Sequence, residues 1–74
     1  MQLRKTFAEN LRRVRLARPL SQEALANEAG IDRTYVSSLE RGIYSPTLDM
    51  LEKLALVLGV EPVELVTPLG RKRR

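Results

Sequence analysis

The chain has 74 residues, with 13 basic and nine acidic side chains and a formal net charge of +4. This length fits one small domain. It contains no cysteine, histidine or tryptophan, which excludes a disulfide framework, a Cys/His zinc site and any nucleophile–histidine catalytic arrangement. The longest apolar run, residues 54–58, is far too short to span a membrane. Because the N-terminus has no apolar segment of signal-peptide length, we expect a cytoplasmic protein.

Apolar residues recur at helical spacing along most of the chain, whereas no segment alternates with the period of two that strands require. The first predicted helix covers residues 3–17, and its apolar stripe consists of Leu3, Phe7, Leu11 and Val14. Pro19 ends this helix, because proline lacks an amide N–H and disfavours helical backbone in the residue before it. Ser21 is the predicted N-cap of a second helix over residues 22–29, and Gly30 ends it.

Capping signals also bound the next two predicted helices. Asp32 is the N-cap of a third helix over residues 33–41, and Gly42 closes it. Thr47 is the N-cap of a fourth helix, which Gly59 ends. The spacing predicts that the fourth helix turns five residues inward: Leu48, Leu51, Leu54, Ala55 and Leu58.

The C-terminal part contains one more short helix, over about residues 62–66, because Pro62 suits the first turn of a helix. Residues 67–74 end in four consecutive basic side chains, and we expect them to be a disordered tail. This tail either solubilises the protein or adds a phosphate contact. The sequence therefore predicts an all-α fold, a compact five-helix bundle that forms one domain over residues 1–66.

Charge is unevenly distributed along the chain. Residues 1–41 carry a net charge of +3, residues 42–70 carry −3, and the last four residues carry +4. A basic face can attract phosphate, although charge by itself does not identify a nucleic-acid partner.

Only three residues, Gly30, Ile31 and Asp32, separate the second and third predicted helices. Two short helices joined so tightly cross steeply, as in the helix-turn-helix, whose second helix enters a DNA major groove. Ala26 and Gly30 allow the close approach, and apolar residues supply the buried seam: Leu25, Ala29, Ile31, Val36 and Leu39. The same spacing also fits an ordinary helical hairpin of a bundle, so spacing alone leaves both interpretations open.

A helical wheel divides the third helix into two sides. Val36, Leu39 and Glu40 share the inward side, and the other side carries short hydroxyl groups framed by arginines and a tyrosine: Arg33, Thr34, Tyr35, Ser37, Ser38 and Arg41. Arginine can donate two hydrogen bonds to guanine, and hydroxyl groups can bond to any base. A serine pair is more often ordinary solvated surface. However, Arg33 in the first turn opposes the helix dipole, a small cost that DNA binding would explain.

Three segments, LSQEALA (20–26), AGIDRTYVSSLERG (29–42) and SPTL (45–48), resemble the Cro/phage-repressor (XRE) family in order and spacing. The similarity extends over about residues 6–66. Within it, residues 32–37 are similar to the controller proteins of restriction–modification systems, a match of only six residues. The resemblance implies a lambda-repressor-like fold with its helix-turn-helix over about residues 21–41. It also implies a bacterial or phage-encoded transcriptional regulator, a repressor for example, that is not an enzyme.

The resemblance also assigns roles to single positions. Gln22 matches a glutamine that bonds a DNA phosphate from the start of the second helix. Arg33, Thr34 and Ser38 match base-contacting positions, with Tyr35 and Ser37 as auxiliary contacts. Three further positions match contacts to the DNA backbone: Arg41, Tyr44 and Ser45. Arg15 and Glu40 match a pair that forms an internal salt bridge, which gives Glu40 a structural role. The chain departs from the family pattern in its basic tail and at Pro19, where glycine is frequent.

A domain of this size reads few base pairs, so we expect a homodimer on a palindromic operator in double-stranded DNA, where it blocks or recruits RNA polymerase. The predicted dimer interface consists of Leu56, Val57, Val60, Val63, Leu65 and Val66. For each of these residues a place in the core is the alternative. We expect no cofactor, metal or small-molecule ligand.

The alternative function is a protein-interaction module, such as an antitoxin that holds a protein partner with the same fold. An enzyme is disfavoured, because Glu23, Glu28 and Glu40 lie in ordinary helical contexts and no histidine or cysteine accompanies them. Specific duplex binding that weakens steeply with added salt would distinguish a DNA-binding regulator from both.

Overall fold

The computed structural model describes residues 2–69, and within that range it contains five α-helices and no strand. These helices are α1 (Leu3–Ala17), α2 (Gln22–Ala29), α3 (Arg33–Glu40), α4 (Leu48–Leu58) and α5 (Pro62–Val66). The predicted all-α, five-helix architecture is confirmed. The predicted basic tail lies outside the described residues from position 70 onward.

The helix boundaries follow the capping residues of the sequence. The side-chain oxygens of Ser21, Asp32 and Thr47 each accept a hydrogen bond, at 2.9–3.1 Å, from a backbone amide in the first turn of the following helix. Gly30 and Gly59 end α2 and α4 with φ values of 70° and 75°. A residue without a side chain adopts this left-handed conformation at no steric cost, so both helices end where glycine stands.

The core is one continuous apolar cluster to which all five helices contribute. Its members are Phe7, Leu11, Val14, Leu25, Ala26, Ala29, Val36, Leu39, Leu54, Ala55, Leu58 and Leu65. Burying one large aliphatic side chain contributes about 1.5–3 kcal/mol. Within the bundle α2 packs mainly on α3, and α5 packs mainly on α1. The helix-turn-helix unit packs on α1 through α3 and on α4 through α2, and α5 packs on α1 and α4.

Two apolar assignments made from the sequence are wrong. Leu65, predicted to lie in the dimer interface, is fully buried in the core of the single domain, so it has no surface to offer a second copy. Leu48, predicted to face inward, is 83% exposed. It is the first residue of α4, and the core does not reach this N-terminal end of the helix, whose buried residues are Leu54, Ala55 and Leu58.

Asn10 is a buried polar residue that the sequence analysis did not single out. It is 2% exposed, and its Nδ2 donates hydrogen bonds to the backbone carbonyls of Leu65 (3.1 Å) and Thr67 (2.8 Å). Its Oδ1 accepts a hydrogen bond from Arg13 Nη2 at 3.2 Å. These bonds fasten the end of α5 to α1. Thr67 was predicted to belong to the disordered tail. Its backbone carbonyl is instead bonded to the buried side chain of Asn10.

Replacing Gly30 with alanine is expected to lower the free energy of unfolding by about 1–2 kcal/mol, because an L-residue in left-handed backbone is strained by that amount. A Cβ atom at this position would meet nothing within 4 Å, so the loss is conformational. Gly30→Asn is expected to lose less, since asparagine tolerates this backbone region. Urea denaturation followed by circular dichroism measures both variants, and equal losses would contradict the conformational explanation.

Candidate nucleic-acid interface

The turn between α2 and α3 is closed by hydrogen bonds around Gly30. The Ile31 amide donates to the carbonyl of Ala26 at 2.9 Å, and the Gly30 amide donates to that of Asn27 at 3.3 Å. This pair of bonds is a Schellman motif, which satisfies the last carbonyls of α2 while the chain reverses. Ala26 is 1% exposed, so a small buried side chain stands at the close approach, as predicted. The two helices are therefore joined rigidly by three residues.

Helix α3 has one buried side and one accessible side. Val36 and Leu39 have no exposed surface. None of the predicted base-contacting residues is fully buried: Arg33 and Thr34 are exposed, and Tyr35, Ser37 and Ser38 are half-buried, Tyr35 with packing against the core. The outward side thus carries a guanidinium, a phenol and three aliphatic hydroxyl groups, all of which can hydrogen-bond to base edges.

The residues predicted to contact the DNA backbone surround this accessible side. Arg41 follows the last residue of α3, and Tyr44 and Ser45 lie in the loop between α3 and α4; all three are exposed. Gln22 is the first residue of α2 and is half-buried. The fold therefore brings together side chains from two segments that are about twenty residues apart in the sequence.

Arg15 and Glu40 form a bidentate ion pair between α1 and α3. Arg15 Nε lies 2.5 Å from Glu40 Oε2, and Arg15 Nη2 donates to Glu40 Oε1 at 3.0 Å. The side chains are 7% and 3% exposed. A third guanidinium nitrogen, Nη1, donates to the Leu20 carbonyl at 2.7 Å. The pair therefore fixes the end of α3 to α1 and to the segment that precedes α2.

Glu40 also accepts a hydrogen bond from Gln22, a link that the sequence analysis did not identify. Gln22 Nε2 donates to Glu40 Oε1 at 3.1 Å. An amide group retains a second N–H and a carbonyl oxygen after one such bond, so Gln22 is oriented by Glu40 while it keeps a donor for a ligand. The two residues are eighteen positions apart, and no local pattern connects them.

The pKa of Asp32, at the start of α3, is lowered by its neighbours. Hydrogen bonds from the Thr34 backbone amide and then from its side chain, together with the charge of Arg33, hold the pKa of Asp32 below the ordinary value of 3.8. The carboxylate is therefore ionised at neutral pH, where it caps α3 and offsets part of the unfavourable interaction between Arg33 and the helix dipole.

Within residues 2–69, no group of three or more acidic, histidine or cysteine side chains is arranged to hold a metal ion. None of the five helices combines the length and the apolar character needed to cross a membrane.

A rigid pair of short helices, whose second member turns hydrogen-bonding side chains outward, is the helix-turn-helix of DNA-binding domains. The helix-turn-helix family HTH_3 matches residues 11–65 of this chain. The chain belongs to this family of transcriptional regulators, which are not enzymes. The resemblance to the Cro/phage-repressor family is confirmed.

Individual relatives agree with this assignment. The chain is 46% identical over 68 residues to an uncharacterized HTH-type transcriptional regulator, y4dJ, of Sinorhizobium fredii, covering 92% of this chain and 88% of that protein. Its fold matches the crystal structure of the restriction-modification controller protein C.AhdI from Aeromonas hydrophila with a TM-score of 0.80 and 45% identity, over 84% and 94% of the two chains. A third match is the controller protein C.Esp1396I, solved as a tetramer with its natural 35 base-pair operator, with a TM-score of 0.79 and 31% identity, over 88% and 86% of the two chains.

Replacing Glu40 with alanine is expected to lower the free energy of unfolding by about 3–5 kcal/mol, because it leaves the buried Arg15 guanidinium without its partner. Chemical denaturation measures this loss. Glu28→Ala is the control, since this exposed carboxylate of α2 is expected to change stability by less than about 0.5 kcal/mol. A Glu40→Ala variant as stable as the control would show that the ion pair does not hold α3 in place.

Proposed function

We propose that this transcriptional regulator binds a palindromic operator in double-stranded DNA as a homodimer, with residues 33–41 of each copy in the major groove. The observation that carries the proposal is the division of α3 into a fully buried apolar side and an accessible side of hydrogen-bonding groups. The tetramer of C.Esp1396I on its operator supports it, because that protein has a similar fold.

Base recognition in this proposal depends on the side chains at the start and the middle of α3. Arg33 is exposed in the first turn and can donate two hydrogen bonds to a guanine, and the Thr34 methyl group can contact a thymine methyl. Ser38 adds a hydroxyl group one turn further along, with Tyr35 and Ser37 beside it. Contacts to the DNA backbone fix the register of the domain without reading the sequence, and they come from Gln22, Arg41, Tyr44 and Ser45.

The homodimer part of the proposal is supported by apolar side chains on α4 and α5 that the single domain leaves exposed. Leu56 is 80% exposed and Val63 is 61% exposed. Val57, Val60 and Val66, on α4, α5 and the turn between them, are half-buried. Two domains whose shorter dimensions are 23 and 20 Å can lie side by side on half-sites about 34 Å apart, one turn of DNA.

In this proposal the bound protein regulates transcription either by excluding RNA polymerase or by binding cooperatively with it. A dimer bound near a promoter blocks RNA polymerase or recruits it, and occupancy then follows the concentration of the protein itself. The likeness in sequence and fold to the restriction-modification controller protein C.AhdI supports a role in the control of such a system.

Arg33→Ala is expected to weaken binding to the preferred duplex by about 1–3 kcal/mol and to relax the preference at one base position, because it removes a bidentate base contact. Gln22→Ala is the matched comparison and is expected to weaken binding to all duplexes by similar factors. Selection of bound duplexes from a random pool, followed by titration, measures both effects. The base-reading assignment fails if Arg33→Ala binds every duplex as tightly as the parent does.

Leu56→Glu is expected to raise the dissociation constant of the dimer at least tenfold. An unpaired carboxylate in an apolar interface costs more than the roughly 1.4 kcal/mol that this factor represents. Leu16→Glu, on α1 and 49% exposed, is the control and is expected to leave the dimer intact. Sedimentation equilibrium measures both variants. If the dissociation constant of the dimer is unchanged by Leu56→Glu, the interface does not include this part of α4.

A further inference from the structure

A cleft of about 390 Å³ lies between the first turn of α1 and the end of α3. Three cationic side chains line it, Arg4 and Lys5 from α1 and Arg41 from the end of α3. All three residues are exposed. Of the three, only Arg41 was predicted from the sequence to contact DNA, and the fold adds two cations of α1 to the surroundings of α3.

The floor of the cleft is formed where α1 and the turn after α3 approach each other. Ala8 is 4% exposed, and a Cβ atom placed on Gly42 would lie 4.0 Å from the Ala8 Cβ. Residues four apart share a face of a helix, so Arg4 lies one turn beyond Ala8 on the face that lines the cleft. The cations of α1 and Arg41 therefore line the same small depression.

Two carboxylates also line the cleft, and they differ in their effect on an approaching anion. Glu40 is 3% exposed and is paired with Arg15, so its charge is already compensated. Glu9 is exposed and opposes an anion. Counting the Arg15–Glu40 pair as neutral, the lining carries three positive charges and one negative charge, which favours an anionic ligand.

The first turn of α1 gives an independent reason to expect an anion there. It contains two cations and no acidic residue, and Gln2, the N-cap, makes no side-chain capping bond. Cations at a helix N-terminus oppose the helix dipole, as Arg33 does in α3. Arg4 and Lys5 could have been identified in the sequence by this same criterion.

We propose that this cleft binds a phosphodiester group of the DNA backbone, with Arg4, Lys5 and Arg41 as its cationic ligands. The inference rests on the proposed function, because Arg41 directly follows the helix that we place in the major groove. The contact adds affinity for every sequence and no base preference, since a phosphate carries no sequence information. Glu40 lines the cleft and also accepts a hydrogen bond from Gln22, so the cleft lies next to the predicted backbone contact of Gln22 and adds residues of α1 to it.

The test measures the dissociation constant of the full chain for its selected operator and for an unrelated duplex, over a range of salt concentrations. Arg4→Gln and Lys5→Gln are each expected to weaken binding to both duplexes by roughly 3- to 10-fold near 0.1 M salt. Each is also expected to reduce the salt slope, which is the slope of log Kd against the logarithm of the salt concentration, by about 1. The double variant is expected to reduce the slope by about 2. Lys53→Gln, which removes an exposed cation from α4, is the matched control and leaves affinity and slope unchanged.

Two further measurements separate this contact from a structural effect. Glu9→Gln removes the opposing carboxylate and is expected to tighten binding to both duplexes. Chemical denaturation is expected to show that Arg4→Gln and Lys5→Gln are at least as stable as the parent, because each removes a cation from a helix N-terminus.

The outcomes distinguish this inference from the proposed function. If the parent selects an operator and the double variant retains the parental affinity and salt slope, the cleft does not bind phosphate. The proposed operator-binding function is then unaffected. If the parent shows no sequence preference but the variants still lose affinity and salt slope, the cleft stands and sequence-specific binding is wrong. A parent that binds no duplex overturns both.

Discussion

The buried ion pair between Arg15 and Glu40 is the interaction on which the position of α3 depends. Transferring two charges out of water costs several kcal/mol per ion, and only a well-formed pair with further hydrogen bonds offsets this. Here the guanidinium also bonds to the Leu20 carbonyl, and the carboxylate also accepts from Gln22. Glu40 therefore fixes α3 directly to α1 and α2, and Arg15 links the pair to the segment before α2.

This constraint explains how a helix of only eight residues can present a defined binding surface. At 1.5 Å per residue such a helix is about 12 Å long, and its apolar attachment consists mainly of Val36 and Leu39. Two apolar side chains resist separation from the core but do not fix rotation well. The directional bonds of Glu40 do fix it, and the hydroxyl and guanidinium groups on the other side are thereby held toward solvent.

The same carboxylate connects the two candidate contacts with the DNA backbone. Gln22 donates a hydrogen bond to it, and it also lines the cleft of Arg4, Lys5 and Arg41. Because Arg15 compensates its charge, Glu40 can stand among phosphate-binding groups without repelling an anion strongly. An ion pair that holds the fold together thus also permits a negatively charged ligand to approach.

The sequence by itself determined the five helices and their ends, because capping side chains and left-handed glycines act within one turn of the residue that carries them. It also indicated the two sides of α3, since periodicity assigns residues to a face. Tertiary structure alone decided which apolar faces are covered, so Leu65 lies in the core and Leu48 in solvent. It likewise created the links of Asn10 to Leu65 and of Gln22 to Glu40. These residues are distant in the chain, and their contacts depend on how the helices pack against each other.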